Sequence, residues 1–113
     1  MVSSRELFKQ GYNASNNKEF EKAEKYYRNC LEIDSDYSMA WNNLGWILYD
    51  QNQQFKEAER CYNLAIKADK KNYYAWNNLG ILYYRHKKKY PLLMSLTIIL
   101  INKPAIQFLK MKV

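Results

Sequence analysis

Two asparagine pairs, Asn42-Asn43 and Asn77-Asn78, stand 35 residues apart and carry the most usable side-chain chemistry in the chain. An asparagine amide holds an acceptor oxygen and two N–H donors on one flat group. It can pair with the C=O and the N–H of one peptide unit together. A row of such amides would therefore grip an extended backbone with little regard to its side chains. The competing reading is a solvated polar helix face. Beside the pairs lie Trp46, Tyr49 and Tyr84. Such rings dominate binding hot spots, and they also fill space between helices.

The other reactive types point away from catalysis. The 2 cysteines, Cys30 and Cys61, lack metal-ligand spacing and fall on apolar helix faces, so they read as buried thiols. His86 is the only histidine and lies in Arg85-His86-Lys87-Lys88-Lys89. It reads as part of a solvated turn, with contact to an acidic partner or nuclear import as the alternative. Glu19, Glu21, Glu24, Glu57 and Glu59 lie near lysines and read as a salt-bridged exposed surface. The sequence holds no phosphate-cradling glycine loop, no nucleophile motif and no metal constellation. A non-enzyme with no cofactor, no metal and no small-molecule substrate is expected.

What positions the asparagines is an internal repeat. Ala40-Trp41-Asn42-Asn43-Leu44-Gly45 returns as Ala75-Trp76-Asn77-Asn78-Leu79-Gly80, a shift of 35. Leu48 with Tyr83, Tyr49 with Tyr84 and Phe55 with Tyr90 keep that shift. Upstream, Gly11 and Leu7 precede Gly45 and Trp41 by 34. Phe20, Ala23, Tyr27, Cys30 and Leu31 match Phe55, Ala58, Tyr62, Ala65 and Ile66. A period near 34 with this texture marks a helical repeat array.

Each unit reads as two helices. Trp41, Leu44 and Leu48 follow 3–4 spacing, and so do Phe55, Ala58, Tyr62, Ala65 and Ile66. The polar stretch 50–54 turns the chain between them, and Ser3 with Glu6 suits a capping box at the first helix. Glycine inside a helix costs about 1 kcal/mol relative to alanine. Its recurrence at Gly11, Gly45 and Gly80 therefore implies close backbone packing, with Ala23, Ala58 and Ala65 serving the facing helix.

Composition agrees with this. With 113 residues, 48% of them apolar, the chain is one modest folded domain rather than a disordered segment. Only 3 Gly and 2 Pro favour long helices over a many-turned sheet. The 11 Tyr suit half-buried positions, having an apolar ring and a polar tip. The net charge of +7 is unevenly placed: residues 1–84 carry 11 basic and 11 acidic side chains, and residues 85–113 carry 7 basic and none acidic. A neutral body with a basic end argues against a nucleic-acid-binding face.

The pattern Trp41…Leu44-Gly45…Leu48…Phe55…Ala58…Tyr62…Ala65 resembles the tetratricopeptide repeat (TPR), and the likeness covers residues 4–90. It weakens in the first unit, where Leu7 stands for the usual Trp and Gln10 for the usual Leu. The resemblance implies an all-α TPR solenoid of antiparallel helix pairs, with two full repeats plus a divergent third. Residues 1–90 would form the array, with repeats at 4–37, 38–72 and 73–90 onward. The first helix of each repeat would line a concave groove. Matched rows across it are Phe8, Asn42, Asn77; Lys9, Asn43, Asn78; Tyr12, Trp46, Ile81; Ser15, Tyr49, Tyr84; and Asn16, Asp50, Arg85, with Arg5, Met39 and Tyr74 at the mouth. Asn43 and Asn78, directly before Leu-Gly, occupy the place of the backbone-gripping ladder of some TPR arrays. Another TPR class clamps acidic chaperone tails with Lys or Arg. Here the clamp places hold Phe8, Tyr12, Asn43, Tyr74 and Asn78, and only Asn43 fits. Without cations there is nothing to neutralise a carboxylate, and the aromatics suit an apolar or proline-rich ligand.

Residues 91–113 depart from the pattern. Leu93 and Leu100 fall where small residues belong, and the run 91–101 is too short to cross a bilayer. Three readings stand. One is a divergent second helix at 91–102 followed by a short closing helix at 105–112. Another is an aberrant end. The third is a membrane-surface or partner-binding amphipath led by Lys87-Lys88-Lys89. An uncapped last repeat would also expose apolar surface and self-associate as a homo-oligomer.

The expectation is a protein-interaction module that takes a protein or peptide ligand in its groove. Nucleic acid and membrane are not expected partners. The alternative is a non-catalytic structural fragment of a larger scaffold or enzyme accessory region that mainly self-associates. The N-terminus shows no basic-then-apolar leader pattern, which points to a cytoplasmic or nuclear setting.

Overall fold

In the computed structural model, residues 2–86 are described. They form five helices and, among the described residues, no strand: α1 (Ser4–Asn16), α2 (Phe20–Ile33), α3 (Ser38–Asp50), α4 (Phe55–Ala68) and α5 (Tyr73–Arg85). The expected all-α repeat architecture is what the chain adopts. The expected tail helices, the basic run at 87–89 and the self-associating end all lie outside the described residues.

Local chemistry sets where each helix starts and stops. Ser3 caps α1, its Oγ accepting the Glu6 N–H at 3.1 Å, and the Glu6 carboxylate sits favourably in the first turn. α1 stops where Lys18 turns into the left-handed region at φ 60°, and α3 stops where Gln53 does so at φ 54°. The freed carbonyls are answered locally: Glu19 N–H reaches Ala14 O at 2.9 Å and Gln54 N–H reaches Leu48 O at 2.8 Å. After α2 and α4 the chain turns on an aspartate. Asp34 Oδ1 accepts Asp36 N–H at 3.0 Å, and Asp69 Oδ1 accepts Lys71 N–H at 2.9 Å. Such Asx turns break a helix because the side chain offers the backbone an alternative partner.

Connections this short fold each helix back on its predecessor. α1 packs on α2 and α3 on α4, while α2 packs on α3, α4 on α5, and α3 on α5. The core alternates small and large residues. Ala23, Ala40, Ala58 and Ala65 are fully buried, and Tyr27, Tyr62, Leu44, Ile47 and Leu48 fill the space beside them. Gly11 and Gly45 are closely packed as their spacing implied, though against a tyrosine ring rather than a facing backbone. A Cβ on Gly11 would lie 2.7 Å from Tyr27 Cε1, and one on Gly45 would lie 2.7 Å from Tyr62 Cε1.

The junction between the second and third helix pairs is polar, which periodicity did not reveal. Ser38 Oγ donates to Ala65 O at 2.6 Å, and Asn72 Nδ2 donates to Ser38 Oγ at 2.8 Å. Asn72 is buried, and its Oδ1 caps α5 by accepting Ala75 N–H at 3.2 Å. Ser38 and Asn72 together therefore tie the start of α3, the end of α4 and the start of α5.

Two surface expectations are corrected. Glu59 is not part of a salt-bridged exposed face: it is half-buried, its Oε2 is buried, and that oxygen has no hydrogen-bond partner. Among the described residues, the pairs that form are Glu19 with Lys22, Glu24 with Arg28 and Glu57 with Arg60. His86 is not simply solvated. It follows α5 as its C-cap, half-buried, with its ring 4.0 Å from the Phe55 ring and 5.8 Å from that of Tyr49.

Candidate functional site: a groove floored by linked amides

α3 and α5 lie side by side because Ala40, Leu44 and Leu79 are buried in the core between them and the second helices. That packing turns Asn42, Asn43 and Asn78 toward one shared depression. Their amides are joined head to tail. Asn78 Nδ2 donates to Asn42 Oδ1 at 2.9 Å, Asn42 Nδ2 donates to Asn43 Oδ1 at 3.1 Å, and Asn43 Nδ2 donates to Tyr27 Oη at 3.2 Å. The chain of bonds crosses three helices, α5, α3 and α2.

Above these amides is a concavity of about 230 Å³. Tyr12, Ser15 and Asn16 of α1 form one wall, Trp46 of α3 the other, and the amides with Tyr27 form the floor. None of the side chains around it is charged. Burial raises the Tyr27 phenol above its ordinary value, against the opposing pull of its bond to Asn43, so the hydroxyl stays protonated at neutral pH. Tyr12 is 51% exposed and Trp46 is 37% exposed, so both rings are accessible to a ligand. Trp46 also leans on Phe20, with ring centroids 5.9 Å apart.

The structure divides the expected site residues into four sets. Tyr12, Asn43, Trp46 and Asn78 meet in this groove, and Asn42 joins them from below. Asn42 is only 4% exposed and has both ends of its amide engaged, so it positions its neighbours rather than facing a ligand. Asn77 and Tyr84 line a different concavity, of about 420 Å³ along α5, with Trp76, Gly80, Ile81 and Arg85. Phe8 and Tyr49 pack against neighbours. Phe8 stacks on Tyr37 at 5.0 Å, and Tyr49 tilts against Phe55 at 5.3 Å. Lys9 is exposed and lines neither concavity.

Tyr27 was missed. Its repeat position matches the core Tyr62, and the ring is indeed buried. The hydroxyl is the part that matters: the ring occupies the space a Gly11 side chain would take, and its Oη accepts from Asn43. The usable signal was the tyrosine itself, since a phenylalanine would fill the same space without a polar tip. Trp41 packs against the core from its edge, while Trp76 lines the concavity along α5. Each is half-buried and donates its indole N–H to a loop carbonyl, Ser35 O at 2.7 Å and Lys70 O at 2.9 Å.

Among the described residues, no group of three or more His, Cys, Asp or Glu could hold a metal ion, and no helix is long and apolar enough to cross a membrane. Cys30 and Cys61 are buried, and burial pushes their thiols up to about 11 and about 12.

Three family profiles, each described as a tetratricopeptide repeat, match residues 7–37, 26–60 and 48–91. The chain belongs to the tetratricopeptide repeat family. The fold of this TPR protein is also that of a chain in the solved CopN-Scc3 complex, at a TM-score of 0.76 and 20% identity. The match covers 96% of the TPR chain and 65% of the solved one, so the TPR chain spans somewhat less than two thirds of that neighbour. No curated protein matches the chain.

Proposed function

We propose that this protein is a TPR interaction module that holds an extended peptide segment of another protein along the groove formed by α1, α3 and α5. TPR arrays in general serve as non-catalytic binding modules for other proteins, and the three matched profiles support that coarse assignment here. The structural neighbour is a chain of the CopN-Scc3 complex, which is in keeping.

The observation that carries the finer reading is the amide chain from Asn78 to Tyr27 beneath two accessible rings. Linked amides are held in place before any ligand arrives, which reduces the ordering cost of binding. Asn43 and Asn78 each keep one N–H beyond those bonds. The rings of Tyr12 and Trp46 supply apolar contact area at low entropy cost.

A peptide array probed with the intact protein, a Trp46→Ala variant and an Asn43→Ala, Asn78→Ala double variant tests this. Loss of binding in both variants, with the far-UV spectrum and thermal midpoint recorded alongside, is expected. Binding retained by both variants overturns the groove assignment.

A further inference from the structure

The groove's hydrogen-bonding groups are unbalanced, and the imbalance selects among peptides. Along the floor the amides all run in one sense, so the oxygens of Asn42 and Asn43 already accept a bond from a neighbour. Among the floor amides only Asn78 Oδ1 accepts no bond from a described residue, and the rest of what stays available is mostly N–H and O–H. Asn43 and Asn78 retain one N–H each. Among the described residues Trp46 Nε1 has no acceptor, whereas Trp41 and Trp76 spend theirs on loop carbonyls. The Tyr12 hydroxyl lines the same groove, and the Tyr27 hydroxyl, which accepts from Asn43, keeps its own O–H at the floor. Ser15 and Asn16 at the rim add donors and acceptors alike. The surplus of donors calls for a ligand that presents carbonyls without matching N–H groups. Among peptides, that describes proline.

Spacing makes the same selection. Packed helices lie about 8–10 Å apart axis to axis, and α3 and α5 are packed and bridged by the Asn78–Asn42 bond. A polyproline II helix returns to one face every three residues, about 9.3 Å at 3.1 Å per residue. A β-strand returns every two, about 6.6 Å. Only the first matches the spacing of α3 and α5, placing one equivalent side chain on each. Tyr12 and Trp46 hold matching repeat positions and line one concavity, and Ile81, 37% exposed, holds the corresponding position on α5, where it lines the neighbouring concavity. Aromatic-lined, uncharged walls suit proline rings and offer nothing to a charged side chain.

We propose that the groove selects an uncharged, proline-bearing segment of a partner protein in the polyproline II conformation. Prolines seat on Tyr12 and Trp46, and ligand carbonyls accept from Trp46 Nε1 and the spare N–H of Asn43. This rests on the groove assignment made above and names its ligand class.

Calorimetric titration of the full chain with two blocked, uncharged nonapeptides tests it: all-proline, and alternating threonine-valine. Expected is binding of the proline peptide at least about ten-fold tighter, about 1.4 kcal/mol. It should be weakened about ten-fold by Trp46→Ala and less by Trp46→Phe, which keeps a ring and loses the N–H. Because Trp46 also packs on Phe20, Tyr12→Phe serves as a second variant that disturbs no packing and is expected to weaken the proline peptide several-fold. Equal or tighter binding of the threonine-valine peptide, still sensitive to Trp46→Ala, overturns the ligand class and leaves the groove assignment standing. Binding of neither peptide, or binding indifferent to Trp46→Ala and Tyr12→Phe, overturns both.

Discussion

The ring edge of Tyr62 occupies the space where a side chain on Gly45 would begin: an added Cβ would stand 2.7 Å from Tyr62 Cε1 and 3.1 Å from Cys61 Cβ. Both neighbours are fully buried and have no room to give way. Gly45→Ala therefore gains about 1 kcal/mol of helix propensity and loses more, about 1–3 kcal/mol, to overpacking. We expect a lowered midpoint in chemical denaturation. The double variant Gly45→Ala, Tyr62→Leu is expected to recover part of the loss. Additive effects of the two changes would show that the contact is not the cause.

Asn72 is predicted to be the most sensitive polar position. Asn72→Ala removes the α5 cap and leaves Ser38 without its buried donor. The cap alone is worth about 1 kcal/mol, and the lost buried bond adds about 1 kcal/mol. Urea titration of Asn72→Ala, Ser38→Ala and the pair should show coupling between the two sites. An Asn72→Ala protein as stable as the parent would contradict the junction described here.

The two left-handed residues offer a gain. Lys18 at φ 60° and Gln53 at φ 54° carry a Cβ in a region that costs an L-residue about 1–2 kcal/mol. Glycine enters it without that cost, though it adds entropy to the unfolded chain. Lys18→Gly and Gln53→Gly should each raise stability by up to about 1 kcal/mol, read as a shift of the thermal midpoint with the circular-dichroism spectrum unchanged.

The thiols set an alkaline limit. Burial raises Cys30 to about 11 and Cys61 to about 12 from an ordinary 9.0, and it raises Tyr62 as well. A group raised in the folded state contributes stability that is fully present below its unfolded value and is lost as pH rises through the folded one. Stability should thus hold below about pH 9 and fall between about 9 and 12. At pH 8 a disulfide reagent should react with both cysteines only as fast as the protein opens. A fast native burst of reaction would show that a thiol is accessible.

Much of the fold was legible because repetition writes it plainly. The shift of 35 aligns Trp41 with Trp76 and Gly45 with Gly80, and a helix pair that buries one apolar stripe must place those types at those spacings. The close approach at Gly45 followed for the same reason. The candidate site was legible by residue and not by role. Asn42, Asn43 and Asn78 were all marked as ligand-facing, yet Asn42 is buried beneath the other two and holds them. Tyr49 and Phe8 were placed in the groove by register alone, and neighbouring rings claimed them first. His86 and Glu59 looked like surface in a charged stretch, and only their packing showed otherwise.

By itself, then, the order of residues determined the all-α repeat class, the helix pairing and the small-against-large core, since each depends on periodicity within about 35 positions. Tertiary structure alone decided the direction of the amide chain, the reach of Tyr27 Oη to Asn43 and the Ser38–Asn72 tie. Those bonds join residues 16 to 36 positions apart. They depend on side-chain direction across helices, which periodicity within one helix does not encode.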